Sequence, residues 1–389
     1  MTQYDIQDNF VQRFGRKGSL YFSPGRINLI GEHTDYNCGF VFPGAIDKGI
    51  TVSISPNGLG VCRVCALDIS GEDNYAEFGF EESDRPAQHW ACYIFGVCRE
   101  MFKRGAFVKC FDAVFSGNIP LGAGLSSSAA LESVFAYALN DICEAGISKL
   151  ELTRIGQSAE HNYCGVKCGI MDQFASIMGL QDNLIRLDCR SMEYEYFPFK
   201  PSGYRLVLTD TCVKHTLGNE YNERRASCEN AVSEIGKFFP HVGSLRDANH
   251  AMLNAVRENI SNDDYMRAKY ILDEKERVMA VCDALKRNDY ETVGKKMYET
   301  HEGLSREFTV SCPEADWLVR TARLCSVTGS RIMGGGFGGC TLNLIREELY
   351  DSFIKTAVNG YISKFGITPK VYDVCIGDGS RKLQNQDAK

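Results

Sequence analysis

The chain has 389 residues, of which 44% are hydrophobic and 24% charged, and its formal net charge is −7. This length exceeds one ordinary hydrophobic core, so we expect two domains, and the composition is that of a globular protein rather than a disordered or fibrous one. The negative net charge and the dispersed basic residues argue against nucleic acid or an anionic membrane as the main partner. No apolar run approaches the ~18 residues that are needed to span a bilayer.

The first residues, MTQYDIQDNFVQRFGRKGS, lack the apolar core of a signal peptide, so we predict a cytoplasmic protein. The 17 cysteines are scattered along the chain, and we interpret them as reduced thiols packed in the core rather than as a disulfide framework. Cys62 and Cys65 form a C-x-x-C within a predicted strand, where residues three apart point to opposite faces. Without a second such pair, a zinc site is not expected.

Strand-like runs separated by turns dominate the first ~120 residues. They lie at residues 20–23, 49–54, 61–66 and 109–115.

A polar loop, PGRINLIGEHTDYNCG at residues 24–39, lies between two apolar segments of this region. Because each buried polar group needs a partner, clustered donors and acceptors on an anchored loop suit recognition of several hydroxyl groups. A surface loop can also be polar without a function, and His33 alone is weak support for a metal ligand. The polar side chains of the loop are Arg26, Glu32, His33, Asp35, Tyr36 and Asn37.

Residues 120–130, PLGAGLSSSAA, combine glycines with a predicted helix start. Gly122 and Gly124 permit backbone conformations closed to other residues, and Ser126, Ser127 and Ser128 can cap the helix that follows. The unpaired amides and dipole of a helix start form a cradle for phosphate. No lysine follows the glycines, so the segment is not a Walker A loop. A capped glycine turn is the alternative interpretation.

Two helices are predicted after this loop. The first has apolar residues at helical spacing and Gly146 at the position of a C-terminal glycine, and the second covers residues 149–164. The segment EHNYCGVKCGIMDQF, at 160–174, follows. Asp172 lies there in a short, largely apolar turn that suits a positioned carboxylate, and Glu160 is a candidate metal ligand. Either could instead be a surface acid or a cap.

The second half of the chain starts with a strand at residues 204–209, followed by long polar helices between residues 221 and 308. A glycine-rich turn at 331–345 formally contains G-x-G-x-x-G at Gly334, Gly336 and Gly339. A strand follows it rather than a helix, so we reject a dinucleotide-binding fingerprint and expect close backbone approach instead. Residues 377–389 are polar and are predicted to form a loose tail. Strands and helices are segregated, which predicts an α+β fold in two lobes.

These motifs resemble those of the GHMP small-molecule kinases, and within that family the branch that phosphorylates galactose. PGRINLIGEHTDY resembles the sugar signature, PLGAGLSSSAA the ATP-binding motif, CGIMDQF the catalytic segment and GGGFGG the third glycine motif. The resemblance runs in order over nearly the whole chain. It implies the two-lobed GHMP kinase fold with the active site in the cleft, and we place the lobes at residues 1–200 and 201–389.

The resemblance also implies a role for individual residues. Asp172 would accept or orient the proton of the anomeric hydroxyl, and Arg26 would keep it ionised and stabilise the transferring group. Mg²⁺ would bind Ser128 and Glu160. The residues implied to bind the sugar are Glu32, His33, Thr34, Asp35, Gly169 and Tyr221. Those implied to bind ATP are Gly122, Ala123, Gly124, Leu125, Ser126, Ser127 and Ser128, with Trp90 beside the adenine.

The activity implied is ATP-dependent phosphorylation of α-D-galactose to galactose 1-phosphate, the first committed step of galactose use. ATP and galactose are the implied partners, and we expect a monomer, although the sequence leaves the oligomeric state open. Two alternatives stay open. One is a kinase for a related sugar such as N-acetylgalactosamine or arabinose, and the other is a kinase-like sensor that binds sugar without turnover.

Overall fold

The computed structural model describes residues 3–120, 122, 124–213 and 219–384. None of the helices in these ranges is both long and apolar enough to cross a membrane. The helices are α1 (Gln3–Phe14), α2 (His89–Lys103), α3 (Ser127–Ile142), α4 (Lys149–Ala159), α5 (Met171–Met178), α6 (Asn219–Phe238), α7 (His250–Ala255), α8 (Asn262–Lys286), α9 (Tyr290–Arg306), α10 (Pro313–Leu324) and α11 (Tyr350–Phe365). The strands are β1 (Ser19–Asn28), β2 (Phe40–Val41), β3 (Pro43–Pro56), β4 (Cys62–Ala66), β5 (Tyr75–Phe78), β6 (Phe111–Gly117), β7 (Asn183–Asp188), β8 (Tyr194–Pro198), β9 (Tyr204–Asp210), β10 (Gly329–Ile332), β11 (Cys340–Arg346), β12 (Lys370–Val374) and β13 (Arg381–Lys382).

The first sheet has six strands in the order β13-β1-β3-β6-β4-β5, and all four predicted strand runs overlap strands of this sheet. Cys62 and Cys65 lie on β4, where they belong to two different hydrophobic clusters. The two thiols therefore point to opposite faces, as predicted, and all 17 cysteines are free. The register of β1 against β3 shifts between Pro24 and Arg26. This irregularity lies where the polar loop begins, and such bulges re-aim side chains.

The prediction of a loose tail is wrong for residues 377–384. Strand β13 pairs with β1, opposite Tyr21 and Phe22. The Gly379 amide donates to the Gly179 carbonyl at 2.9 Å, and the buried hydroxyls of Ser23 and Ser380 are 2.7 Å apart. Polar composition does not reveal this anchoring, because edge pairing uses backbone groups and small side chains. Residues 385–389 lie outside the described ranges.

The second sheet is antiparallel, in the order β10-β11-β9-β12, and a small third sheet has the order β2-β7-β8. The long helices α8 and α9 follow one another without an intervening strand. Strands and helices are thus segregated, and the α+β prediction is confirmed. The glycine-rich turn joins β10 to β11 as a hairpin, which confirms that a strand follows it. The lobe boundary at residues 200/201 stays a prediction.

Helix α3 forms where the apolar spacing predicts it. Its Leu131, Val134, Phe135 and Leu139 are buried, and burying each such side chain contributes about 1.5–3 kcal/mol. The helix ends at Ile142 rather than beside Gly146, because Glu144 adopts a left-handed conformation at φ 54°. Helix α4 likewise ends early, and residues 160–164 form a π-helical turn instead.

Two kinds of contact hold the lobes together. The largest hydrophobic cluster contains Val52 of the first sheet and Leu342 of the second. The backbones of Gly124 and Gly334 also meet: a β-carbon on Gly334 would lie 2.9 Å from the Gly124 carbonyl oxygen. The close approach expected of the third glycine motif is therefore confirmed, and it brings that motif against the PLGAGLSSSAA loop.

Candidate active site

A cleft between the lobes, with a volume of about 210 Å³, collects most of the residues that the sequence singles out. Its walls come from the polar loop, the serine-rich helix start, the segment 160–172 and the third glycine motif. The predicted residues that line it are Arg26, Glu32, His33, Asp35, Gly122, Gly124, Leu125, Ser126, Ser127, Ser128, Glu160, Gly169, Asp172 and Tyr221.

Asp172 and Arg26 form an ion pair in this cleft. The Arg26 Nε and Nη2 donate to the two Asp172 carboxylate oxygens at 2.8 and 3.0 Å, and Nη1 donates to the Gly124 carbonyl at 2.6 Å. Burial acts to lower the pKa of Arg26, but the charges of Asp172 and Glu32 outweigh it and raise that pKa. These bonds use three of the five N–H groups of a guanidinium, so two can face a ligand.

Ser126 differs from its prediction as a helix cap. It has a left-handed backbone at φ 59°, and its side chain accepts no hydrogen bond from the helix. The hydroxyl donates instead to Oδ2 of Asp172. The first turn of α3 contains no acidic residue. Ser127 and Ser128 of this turn line the cleft, and the Ser126 side chain does not cap its amides, so this helix start suits an anion.

Ser128 and Glu160 lie together on the other side of the helix start. The Ser128 hydroxyl donates to Glu160 Oε1 at 3.3 Å. Burial raises the pKa of Glu160 to about 7, and hydrogen bonds from Cys168 and Ser128 oppose this shift. Among the described residues no three His, Cys, Asp or Glu side chains are grouped to hold a metal ion. A hydroxyl and one carboxylate nevertheless suit Mg²⁺, which keeps waters and shares substrate phosphates.

Glu32 lies at the inner end of the cleft and is 2% exposed. Its Oε1 accepts from Arg331 Nη2 at 2.5 Å and from the Gly334 amide at 2.9 Å. Burial acts to raise the pKa of Glu32, but the charges of Arg331 and Arg26 outweigh it and lower that pKa. Glu32 is therefore an ionised acceptor, and it also ties the polar loop to the second sheet.

His33 and Tyr221 form an aromatic wall beside Glu32. Their ring centroids are 5.5 Å apart, and Phe308 lies 4.7 Å from the His33 ring. Burial lowers the pKa of His33 to about 4, so the imidazole is neutral at pH 7. Its Nδ1 is 2.9 Å from the Tyr36 hydroxyl, while Nε2 is buried without a partner among the described residues. A buried nitrogen of this kind is suited to bind a ligand hydroxyl.

Asp35 enters the cleft opposite Gly169. A β-carbon on Gly169 would lie 1.7 Å from Asp35 Oδ2, so only glycine leaves room for this carboxyl group. Burial raises the pKa of Asp35 to about 7, and the nearby charge of Asp172 adds to the shift.

Two predicted residues, Thr34 and Trp90, do not line this cleft. Thr34 is fully buried, and its hydroxyl lies within hydrogen-bonding distance of the Gly31 and Phe40 carbonyls, at 2.9 and 2.6 Å. The Thr34 side chain therefore holds its own loop, and its role in binding sugar stays a prediction. Trp90 does not line the cleft; its Nε1 donates to the Asp73 carbonyl at 2.9 Å. Ala123 lies outside the described residues.

Several contributors were missed by sequence reasoning. Arg331 is fully buried against Glu32. Glu274, on α8, accepts from the Gly31 amide at 2.7 Å, and Gln173 bonds to Glu160 at 2.9 Å. Arg331 lies three residues before Gly334 of the third glycine motif and Gln173 immediately follows Asp172, so proximity to a motif was the available signal. Glu274 lies in a long polar helix, α8, where no sequence motif indicated a functional residue.

Comparison with known proteins agrees with this geometry. The model of the galactokinase galactose-binding signature matches residues 8–56, and the GHMP kinase N-terminal and C-terminal domain models match residues 92–180 and 282–362. The galactokinase of Bacillus subtilis is 37% identical, covering 98% of this chain and 99% of the relative. That of Thermosipho africanus is 39% identical, covering 93% and 99%.

Solved structures give the same result. Lactococcus lactis galactokinase complexed with galactose superposes with a TM-score of 0.93 and 31% identity, covering 97% of this chain and 98% of that one. Methanococcus jannaschii mevalonate kinase, at 16% identity and a TM-score of 0.65, shares the fold. On sequence and structure over nearly its whole length, the chain belongs to the galactokinase family of GHMP kinases.

Proposed function

We propose that the protein transfers the terminal phosphoryl group of ATP to the anomeric hydroxyl of galactose, giving galactose 1-phosphate and ADP. The observation that carries this proposal is the Asp172–Arg26 pair, which lies in one cleft with both the serine-rich helix start and the polar loop. Phosphoryl transfer depends on alignment and charge stabilisation more than on covalent participation of the protein. The cytoplasmic location and monomeric state stay predictions.

The polar loop supplies the sugar side of the proposed reaction. Glu32 offers an ionised acceptor, neutral His33 a buried ring nitrogen and Asp35 a carboxyl group beside Asp172. Tyr221 adds a hydroxyl and an aromatic face. These acceptors suit a sugar, because its hydroxyl groups need hydrogen-bond partners. The aromatic ring of Tyr221 also suits a sugar, because sugar C–H groups pack on aromatic surfaces.

The phosphate side is supplied by the first turn of α3 together with Arg26. The uncapped amides and the remaining N–H groups of Arg26 provide positive potential where the transferring group develops charge. We propose that Ser128 and Glu160 hold Mg²⁺, since a hydroxyl and a carboxylate are oxygen ligands of the type this ion prefers. When bound, Mg²⁺ would neutralise charge on the phosphate oxygens. Asp172 receives or orients the proton of the attacking hydroxyl.

The experiment that tests the activity is an ADP-release assay over a sugar panel, with the product identified by ³¹P NMR. We expect galactose to give the highest kcat/KM and an anomeric phosphate. A higher kcat/KM for N-acetylgalactosamine or arabinose would show that this sugar, and not galactose, is the preferred substrate. Tight galactose binding by calorimetry without ADP release would instead favour the sensor, and no sugar-dependent release or binding would contradict both.

The pH dependence of galactose affinity should report on Asp35. With its pKa raised to about 7 by burial and by Asp172, Asp35 gains a proton as the pH falls. A protonated carboxyl loses one acceptor for a sugar hydroxyl, so we expect KM for galactose to rise as the pH is lowered from about 8 to about 6. Initial rates at saturating ATP would measure this.

Asp35→Asn is the matched variant, because it keeps the shape of the side chain and removes the titration. It should raise KM at high pH and flatten the pH dependence. A pH-dependent KM that persists unchanged in Asp35→Asn would assign the effect to another group.

A further inference from the structure

A buried cluster lies directly behind the cleft, and two of its three members have no role in the proposed reaction. It consists of Gln173 on α5, Glu132 on α3 and Glu160 on the π-helical turn, and we refer to it as the buried amide cluster. Gln173 and Glu132 are fully buried and Glu160 is 7% exposed. Two carboxyl groups and an amide packed in the interior are costly unless their hydrogen bonds are specific.

The hydrogen bonds of the cluster converge on the Gln173 amide. Its Nε2 donates to Glu132 Oε2 at 2.9 Å and to Glu160 Oε2 at 2.9 Å. An amide nitrogen carries two hydrogens, so both are used. Glu160 Oε2 also accepts from the Cys168 thiol at 3.2 Å, whereas Oε1 accepts from Ser128 at 3.3 Å. The interior therefore holds one oxygen of Glu160, and the other oxygen is directed to Ser128 and the cleft.

Packing alone does not account for this arrangement. Glu132 Oε1 and Gln173 Oε1 are buried with no partner among the described residues, which is unfavourable for stability. An apolar side chain of similar volume would fill the space at lower cost. Gln173 also directly follows Asp172, and consecutive helical residues point about 100° apart. One turn of α5 thus presents Asp172 to the cleft and Gln173 to the back of Glu160.

We propose that Gln173 is a positioning residue that fixes Glu160 for metal binding, and that Glu132 anchors Gln173 in turn. The inference rests on the proposed role of Glu160 as a Mg²⁺ ligand. Gln173 and Asp172 share one turn of α5. This turn therefore fixes the position of Glu160, the proposed metal ligand, relative to Asp172, the proposed acceptor of the hydroxyl proton. Ligating carboxylates commonly depend on such supporting hydrogen bonds.

The test measures Mn²⁺ affinity rather than turnover. Free Mn²⁺ would be followed by electron paramagnetic resonance in the presence of a non-hydrolysable ATP analogue and galactose. Gln173→Met keeps the volume and removes both donors, and we expect it to weaken Mn²⁺ binding about 10–100-fold, as loss of an outer-shell partner does. Galactose affinity by calorimetry should stay near that of the unmodified protein.

Matched variants separate positioning from packing. Glu132→Gln keeps an acceptor for the Gln173 amide and should leave Mn²⁺ affinity nearly unchanged, whereas Glu132→Met should weaken it. Gln173→Asn keeps an amide that is too short to reach both carboxyl groups, and it should reproduce the loss if the methionine variant does not fold. Unchanged Mn²⁺ affinity in the Gln173 variants, or an equal loss of galactose affinity, would overturn the inference.

Glu160→Gln distinguishes this inference from the underlying proposal. If Glu160→Gln weakens Mn²⁺ binding while Gln173→Met does not, the positioning role alone fails. If Glu160→Gln has no effect on Mn²⁺ binding, Glu160 is not a metal ligand, and the positioning role of Gln173 fails as well.

Discussion

Asp172→Asn is expected to lower kcat about 10²–10⁴-fold, the range that loss of a general base produces. The asparagine keeps the shape of the side chain and one oxygen for Arg26, but it cannot take up the proton of the attacking hydroxyl. The Asp172 side chain is 27% exposed in the cleft, and the proposed sugar contacts Glu32, His33 and Asp35 are unchanged by the substitution. The galactose dissociation constant, measured by calorimetry, should therefore change far less than kcat.

A control variant is available on α11, where Asp351 is exposed and does not line the cleft. Asp351→Asn makes the same chemical change and should retain full turnover. Near-normal kcat in Asp172→Asn would remove Asp172 from the chemistry. A loss of galactose affinity as large as the loss of kcat would make Asp172 a binding residue instead.

Arg26→Ala is expected to lower kcat about 10³-fold or more, comparable with loss of an arginine that stabilises a transferring phosphoryl group. The substitution removes the cation that pairs with both Asp172 oxygens and the donor to the Gly124 carbonyl. It leaves the carboxyl groups of Asp172 and Asp35 facing each other without that charge. Steady-state rates at saturating galactose and ATP measure the effect on kcat directly.

Arg26→Lys is the matched comparison, because it keeps the charge but loses the planar fork. A single ammonium cannot reach both Asp172 oxygens and the Gly124 carbonyl, so an intermediate kcat is expected. Removing one partner of a partly buried pair also destabilises the fold. Thermal unfolding of both variants therefore has to accompany the kinetics. An effect confined to KM for galactose would contradict the charge-stabilising role.

The fold was predictable where hydrophobic periodicity is strong. The four early strand runs and α3 lie where the pattern predicts them, because their buried faces are continuous in sequence. The limits of α3 and α4 were not predictable, since they depend on the left-handed Glu144 and on the π-helical turn at residue 160. Neither conformation has a composition signal. Pairing of β13 with β1 joins residues more than 350 positions apart, which no local pattern encodes.

The site was predictable to the extent that short motifs bring donors and acceptors together in sequence. Arg26, Asp172 and Ser128 were identified from such motifs, but what each side chain bonds to depends on tertiary placement. Ser126 was expected to cap α3 and instead donates to Asp172. Thr34 was identified from the sugar signature, and the structure adds that its hydroxyl holds its own loop. Gln173 and Glu132 meet only when α3 and α5 pack, so their pairing had no counterpart in sequence.

The pairing of β13 with β1 also affects how the chain is made on the ribosome. The first six-stranded sheet begins with residues 19–28 but lacks its edge strand until residues 381–382 have emerged. Throughout synthesis of the second lobe, the nascent chain therefore exposes the unpaired backbone of β1, which is an aggregation hazard in any sheet. The first sheet is therefore completed only by a strand that follows every strand of the second sheet along the chain.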